Sequence, residues 1–231
     1  IIGNADKLLS DEFINNEFKH IIQVGGNDGV SGDPIRKHLI NKGSFKADIF
    51  EPLNYYFHKL KKLYEDREDI KVIQKFVSDK KSKDQKIFYI SPEIASMMDG
   101  EGPFNGWAHG QGSFSREFIE NEIEKNSFRG KEYVSKIQFF KRSIKSEMVS
   151  TLGISEIFID NKNRNLLIID VQGYEFNVIN SINFENQKID LIYYEDEDPL
   201  SIPSRKIREL LKSKKYNLIG ISGPNFCFKK N

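Results

Sequence analysis

The sequence predicts an α/β fold: a doubly wound, mostly parallel sheet, closed by an antiparallel hairpin at its end and interrupted by an insertion. Three observations predict it. Apolar strand patterns alternate with helical periodicity over residues 5–77 and again over 166–214, as in successive β-α-β units. The last two strand patterns, 216–221 and 225–230, are separated only by Ser222-Gly223-Pro224, a span that only an antiparallel pair can bridge. Between the two halves, from about Ser91 to Lys145, regular periodicity gives way to a glycine-rich stretch.

Taken in order, Leu8, Leu9, Phe13, Ile14 and Phe18 recur at near-helical spacing and predict a short helix over 5–19. Residues 21–24 form the first core strand. The next helix has Asp33 as N-cap, Pro34 at its first position and Gly43 as its stop. Residues 47–50 form the second strand. Tyr55 to Tyr64 form an amphipathic helix through Tyr56, Leu60, Leu63 and Tyr64. Lys71 to Val77 reads as a third strand running into Ser78-Asp79. In the second half, Leu166 to Val171 is apolar on both faces, as a buried parallel strand must be. A helix over 174–181, a strand over 189–194 and a helix from Ser204 to Lys214 lead into the hairpin.

The middle segment, 91–145, holds Gly100, Gly102, Gly106, Gly110 and Gly112, the single tryptophan Trp107, and one helix pattern with Phe114, Phe118, Ile119 and Ile123. It follows the carboxyl end of a strand, the side on which open α/β sheets bind ligands. It is expected to be a substrate lid inserted into one domain spanning residues 1–231.

The most specific stretch is Ile21-Ile22-Gln23-Val24-Gly25-Gly26-Asn27-Asp28-Gly29, followed by Ile49-Phe50-Glu51-Pro52. A strand entering a glycine turn, a helix, and a second strand ending on a carboxylate make up a nucleoside-binding crevice, in which the acid takes the ribose. Glu51 lies 22 residues beyond Gly29, close to the about 20 of this device. The dinucleotide pattern G-x-G-x-x-G fails, however. Started from Gly25 it meets Asn27 and Val30, and started from Gly26 it meets Asp28 and Ser31, where glycines are needed. A nucleotide-dependent oxidoreductase is therefore the less favoured enzyme class.

The 35 basic and 34 acidic residues nearly cancel, so no overall charge draws the chain to nucleic acid or to an anionic membrane. No apolar run approaches the ~20 residues of a membrane span. The one cysteine, Cys227, has no intramolecular partner and favours a reducing, cytoplasmic setting. The chain opens on Ile1 rather than Met, which leaves room for an upstream stretch, a targeting signal included.

Several segments together resemble the FkbM-type methyltransferases, S-adenosylmethionine-dependent enzymes that mostly methylate hydroxyl oxygens on sugars, lipids or polyketides. Ile22–Gly29 resembles that family's apolar strand followed by Gly-Ala-Asn-x-Gly. Phe50-Glu51-Pro52 matches its Phe-Glu-Pro, and Val77-Ser78-Asp79 is similar to its Leu-Ser-Asp. Ile169-Asp170-Val171-Gln172-Gly173-Tyr174-Glu175 resembles its Ile-Asp-Val-Glu-Gly-x-Glu, and Ile192–Glu195 its next strand ending in Glu. The resemblance covers roughly residues 20–90 and 134–231. It implies a class I methyltransferase-like fold with a seven-stranded sheet, S-adenosylmethionine as cofactor, and an O-methyltransferase acting on a small-molecule or glycan acceptor, such as a sugar or glycolipid hydroxyl. Gln23 and Gln172 stand where the family has acids, which keeps a non-catalytic cofactor- or glycan-binding module as the alternative.

The resemblance also implies roles. Gly25, Gly26 and Gly29 admit the cofactor's backbone approach, Gln23 and Asn27 meet its methionine part, and Glu51, beside Pro52, takes both ribose hydroxyls. Phe76, Val77 and Ser78 border the adenine. Each has a plain rival: a tight turn, a helix N-terminus favoured by a carboxylate, or an ordinary Ser-Asp turn. Asp170 and Glu195 end neighbouring strands at the edge where such sheets gather cofactor and catalytic groups, and Asp196, Glu197 and Asp198 add carboxylates. One of them could serve as general base. Alternatively, Asp170 and an acid near 195 could hold a divalent cation, the less favoured reading; or Asp170 caps a helix and 195–198 is solvated. His109, in the glycine-rich segment, has an imidazole suited to proton removal near neutrality, whereas His20, His38 and His58 read as structural. Trp107, Phe104 and Phe114 form either a sugar-stacking wall or a small core. Arg116 is placed to pair with an acidic acceptor, and Lys80-Lys81-Ser82-Lys83 reads as a solvated turn.

Overall fold

Counted along the chain of the computed structural model, the strands are β1 (His20–Val24), β2 (Lys46–Phe50), β3 (Ile70–Ile73), β4 (Phe76–Ser78), β5 (Asp84–Tyr89), β6 (Gly112–Ser113), β7 (Lys145–Gly153), β8 (Asn165–Ile169), β9 (Leu191–Glu195), β10 (Tyr216–Ser222) and β11 (Asn225–Lys230). The helices are α1 (Ala5–Asn16), α2 (Arg36–Leu39), α3 (Asn54–Leu63), α4 (Pro92–Asp99), α5 (Arg116–Lys125), α6 (Lys131–Arg142), α7 (Glu175–Asn180) and α8 (Ile202–Ser213). The structure describes residues 2–16, 18–30, 32–40, 45–79, 84–99, 106–196 and 198–231. The expectations for Gly43, Lys80–Lys83, Gly100, Gly102, Phe104 and Glu197 lie outside these residues. Two compact units result, one of Ile1–Lys83 with Ser150–Asn231 and one of Asp84–Val149.

The first unit is built on a seven-stranded sheet of order β10-β11-β9-β8-β1-β2-β3. Every pairing from β3 through to β9 is parallel, and only β11 is reversed, antiparallel to both β9 and β10. This is the mostly parallel, seven-stranded class I methyltransferase-like sheet with a closing hairpin that the sequence implies. The order reverses between β1 and β8, so their carboxyl ends form the switch point where such sheets bind ligands.

The central strands β1, β8 and β9 bury both faces, and the period of two splits the core. Ile22, Val24, Phe50, Leu167, Ile169, Ile192 and Tyr194 pack on one face against Val178, Ile179, Ile207 and Leu211 of α7 and α8. Ile21, Ile49, Leu166, Ile168 and Leu191 pack on the other against Ala5 and Leu9 of α1, Ile35 and Leu39 around α2, and Leu60 of α3. Helix α8 starts cleanly because the Ser201 hydroxyl accepts from Ser204 N at 3.2 Å. Gly3 and Gly220 form an isolated bridge that lays the N-terminal segment along β10, protecting an otherwise free strand edge.

Two first-unit elements differ from the sequence reading. The strand expected over 71–77 is broken. The last rung with β2 is Glu51 N to Ile73 O at 3.1 Å, and Lys75 N then turns back to the same carbonyl. Beyond the break, β4 leaves the sheet and pairs in parallel with Thr151–Gly153 of β7. The helix expected after Asp33 is one turn long. It starts at Arg36 with Ile35 as N-cap, so Asp33 and Pro34 precede it, although Asp33 Oδ1 still accepts from Ile35 N and Arg36 N. At its far end the Arg67 guanidinium takes the Leu39 and Ile40 carbonyls, ending the helix with side-chain bonds.

The second unit corrects the expectation of an irregular segment with one helix. Its core joins Ile90, Ala95, Met98, Ile119, Ile123, Tyr133 and Phe140. Helices α4, α5 and α6 supply most of these, and β5 pairs antiparallel with β6. The Ser115 hydroxyl caps α5.

Gly25 sets a strict local limit. Its φ is +86°, and an added Cβ would lie 1.8 Å from the Asp170 carbonyl oxygen. Gly25→Ala is expected to lose stability on the order of 3–5 kcal/mol in urea denaturation. Gly32→Ala, with φ +70° but nothing within 4 Å, should lose only about 1 kcal/mol. Equal losses would refute the steric account.

Candidate active site

Strand register puts the site's carboxylates on one rung. Val24 is the register partner of both Phe50 and Ile169, and Ile169 that of Tyr194. The next residues along are therefore Gly25 on β1, Glu51 on β2, Asp170 on β8 and Glu195 on β9. By strand alternation the three acids face the side of the sheet that also carries Gln23. Three acids thus stand in a row at the carboxyl edge, and the strand between Glu51 and Asp170 contributes no side chain. The backbone binds this edge tightly: Gly25 N and Gly26 N both donate to Phe50 O at 3.0 Å, and Asp170 N donates to Val24 O at 2.9 Å.

Glu51 is 5% exposed. Its Oε2 accepts from Asn27 N and its Oε1 from Leu53 N, each at 2.8 Å. The carboxylate therefore ties the glycine turn to the start of α3 through Pro52, while each oxygen keeps acceptor capacity. Burial pushes its pKa up to about 7, against the pull of these N–H donors and with a further push from Asp170.

Asp170 is raised above the usual carboxylate range by burial, partly offset by hydrogen bonds from Gln172 and with Glu195. Gln172 Nε2 donates to Asp170 Oδ1 at 2.7 Å. One turn on, Glu175 Oε1 accepts from Val171 N and Gly173 N, each at 3.2 Å. Glu175, like Glu51, is pushed up to about 7, first by burial and then by Asp170. Asp170 thus raises both Glu51 and Glu175 at one edge, and among the described residues no lysine or arginine forms an ion pair with Glu51, Asp170 or Glu175. Such a set suits a ligand offering hydroxyl donors and positive charge. An S-adenosyl group with its diol, ammonium and sulfonium has that chemistry. Among the described residues, no group of three or more His, Cys, Asp or Glu is arranged to hold a metal ion.

The remaining sequence-read residues have their own places. Gln23 is 2% exposed and hydrogen-bonded to Asp33; its Oε1 is a buried acceptor with no partner among the described residues. Asn27 holds a left-handed backbone, φ +45°. A Cβ on Gly26 or Gly29 would strike Leu60 of α3, so packing within the chain already calls for glycine there. Val77 and Ser78 are buried at 1%, and Phe76 meets Tyr174 edge to face at 5.6 Å. The Tyr174 hydroxyl donates to Asp79 Oδ1 at 2.8 Å. Asp196, expected beside Glu195, instead accepts from the Ser204 hydroxyl and lies 3.7 Å from Arg208.

His109 lies in the second unit. Its Nε2 is 3.3 Å from Asp99 Oδ2 and 3.4 Å from Ser96 Oγ. Asp99 is 8% exposed, and its backbone carbonyl accepts from Arg129 Nη1 at 2.9 Å. The Arg129 guanidinium covers the Trp107 ring at 5.6 Å, and Trp107 packs on the second unit's core. Arg116, expected to await an acidic acceptor, is engaged by Glu120 at 2.8 Å and the Lys141 carbonyl at 2.7 Å. His20 pairs with Asp48, and His38 stacks on Phe13. Sequence reasoning passed over Glu175, Asp33 as a partner of Gln23, and Asp99. In the sequence the first two stand out only as a motif letter and a helix cap, and Asp99 carries no signal beyond its type.

The family model described as "Methyltransferase FkbM domain" matches residues 23–218. Among solved structures, the methyltransferase FkbM of Methylobacillus flagellatus KT aligns at TM-score 0.51 and 11% identity, over 99% of this chain and 48% of that one. The chain thus spans about half of that protein's length. SMU.1697c of Streptococcus mutans in complex with SAH aligns at TM-score 0.45 and 10% identity, over 97% and 96%. The ribosomal protein L11 methylase of Lactobacillus delbrueckii subsp. bulgaricus aligns at 0.41 and 10%, over 98% and 77%. No curated protein matches the chain. The first of these likenesses shows the fold. Among the described residues, no helix is long and apolar enough to cross a membrane.

The raised Glu51 carboxyl has a stability consequence. Between the unfolded value of 4.5 and about 7, the folded chain binds more protons than the unfolded one, so stability falls as pH rises through that window. Relative to Glu51→Gln, the ligand-free wild type should lose up to roughly 3 kcal/mol between these limits. Parallel urea-denaturation curves for the two proteins from pH 4.5 to 7 would contradict it.

Proposed function

The chain belongs to the methyltransferase FkbM domain family, and from that premise we propose that it is an S-adenosylmethionine-dependent O-methyltransferase acting on a hydroxyl of a sugar, glycolipid or related small molecule. The observation that supports this best is the rung at the switch point: Glu51, Asp170 and Glu195 aligned across three strands, with Gly25 placing no side chain between the first two.

In this reading Glu51 holds the cofactor's ribose diol, one hydroxyl on each oxygen, while its bonds to Asn27 N and Leu53 N keep the carboxylate aimed. Gln23, Gly25, Gly26, Asn27 and Gly29 border the methionine part, Pro52 shapes the approach to Glu51, and Val77 and Ser78 flank the adenine. The bound cofactor supplies a methyl group already activated by its sulfonium charge. The chain's contribution is to place the acceptor oxygen within ~3–3.5 Å of that methyl, to keep water away, and to remove the hydroxyl proton. Asp170, joined to Glu195, is the proposed proton acceptor. His109, oriented by Asp99, is a candidate for the same task. No divalent cation is required by this scheme. The second unit is proposed to select the acceptor, and buried Cys227 suits a cytoplasmic setting.

Calorimetry tests the reading directly. S-adenosylhomocysteine and S-adenosylmethionine should both bind, and absence of binding would end it. Glu51→Ala should weaken both by about 10-fold or more, the loss expected for a buried acceptor. Asp170→Asn should weaken the cationic S-adenosylmethionine more than the neutral product. His109→Gln with unchanged affinity and lost turnover would move the proton-accepting role to the second unit.

A further inference from the structure

Between β8 and α7 the chain turns through Gln172, whose φ of +50° lies in the left-handed region that side-chain-bearing residues seldom adopt. From that backbone the side chain folds back, and Nε2 donates to Asp170 Oδ1 at 2.7 Å. The same carboxyl is hydrogen-bonded to Glu195. Two carboxyl groups joined in this way share one proton, because an ionised carboxylate can only accept. Their neighbours decide which of them keeps it.

The charged groups facing Asp170 are Glu51 from the β2 edge, Glu175 from α7 and Glu195 from β9. Like charge on Glu51 and Glu175 favours its protonated form. The Gln172 amide and the bond with Glu195 oppose them, and of these two the amide is the neutral, permanent donor. A donated N–H stabilises the ionised acceptor, and a glutamate in its place would be acceptor-only when ionised.

We propose that Gln172 is a positioning residue that makes Asp170 the ionised, proton-accepting member of the pair and leaves the shared proton on Glu195. The proposal rests on the reading of this edge as the methyl-transfer site. It assigns the departure at position 172 a role: an amide there does what a carboxylate could not.

Carbon-13 NMR of the cofactor-free chain, labelled separately at aspartate and glutamate carboxyls and assigned with Asp170→Asn and Glu195→Gln, follows both members through pH. The pair titrates in two coupled steps, and in the wild type the Asp170 signal should ionise in the lower one. In Gln172→Met, which keeps the length but loses the donor, the Asp170 midpoint should rise by about one pH unit or more, while that of Glu195 falls. Gln172→Glu should raise the Asp170 midpoint further. Glu195 ionising first in the wild type, or unmoved midpoints in a folded Gln172→Met, would overturn the proposal. The wild-type order alone decides it should Gln172→Met fail to fold. S-adenosylhomocysteine affinity is read on the same samples by calorimetry. Its absence would remove the methyltransferase reading, whereas normal affinity with unmoved midpoints would remove Gln172's role alone.

Discussion

The approach of Gly25 to the Asp170 carbonyl governs the whole carboxyl edge. Strand β1 runs between β2 and β8, and one residue past its last rung both neighbours carry acids. A side chain on β1 at that level would collide with β8 backbone, forcing the two strands apart at the point where the sheet order reverses. With glycine there, Asp170 N can reach Val24 O, and both glycine amides can reach Phe50 O. The alignment of Glu51 with Asp170 follows from the same register.

Burial of so many carboxyls in one place is unfavourable for the isolated protein, and the structure limits the penalty with backbone amides rather than with cations. Glu51 is met by the amides of Asn27 and Leu53, and Glu175 by those of Val171 and Gly173. These bonds orient the groups without neutralising them. Sites prepared for a charged ligand commonly hold groups away from their ordinary ionisation in this way.

Much of the fold was legible because the strands of the first unit are short, apolar and punctuated. His20–Val24, Asn165–Ile169 and Leu191–Glu195 each stand out against polar flanks, and the three-residue link before Asn225 permits only a hairpin. The site's outer residues were equally visible, since Glu51, Asp170 and Glu195 each end such a strand. What was hidden is instructive. The break after Ile73 depends on one amide turning back on a carbonyl, which apolar content cannot register, since Phe76 and Val77 continue the pattern. In the second unit the glycines mask regular structure beyond the one helix pattern around Phe118, although Tyr133, Ile137 and Phe140 of α6 recur at helical spacing. Hydrogen bonds between side chains, such as Gln172 to Asp170 or His109 to Asp99, have no sequence signature at all.

The bridge between Gly3 and Gly220 ties the fold's beginning to its end. Gly3 N donates to Ile219 O and Ile221 N to Gly3 O, and Asp6 of α1 accepts from Tyr193, Ser222 and Asn225. The partners of the first helix thus lie 187 to 219 residues further along the chain. Until the hairpin is in place, α1 lacks the sheet edge on which it docks, and its apolar side, Ala5 and Leu9, has only part of its cover. Long-range closure of this kind is slow and exposes sticky surface meanwhile, so the first unit's folding waits on its most distant contacts.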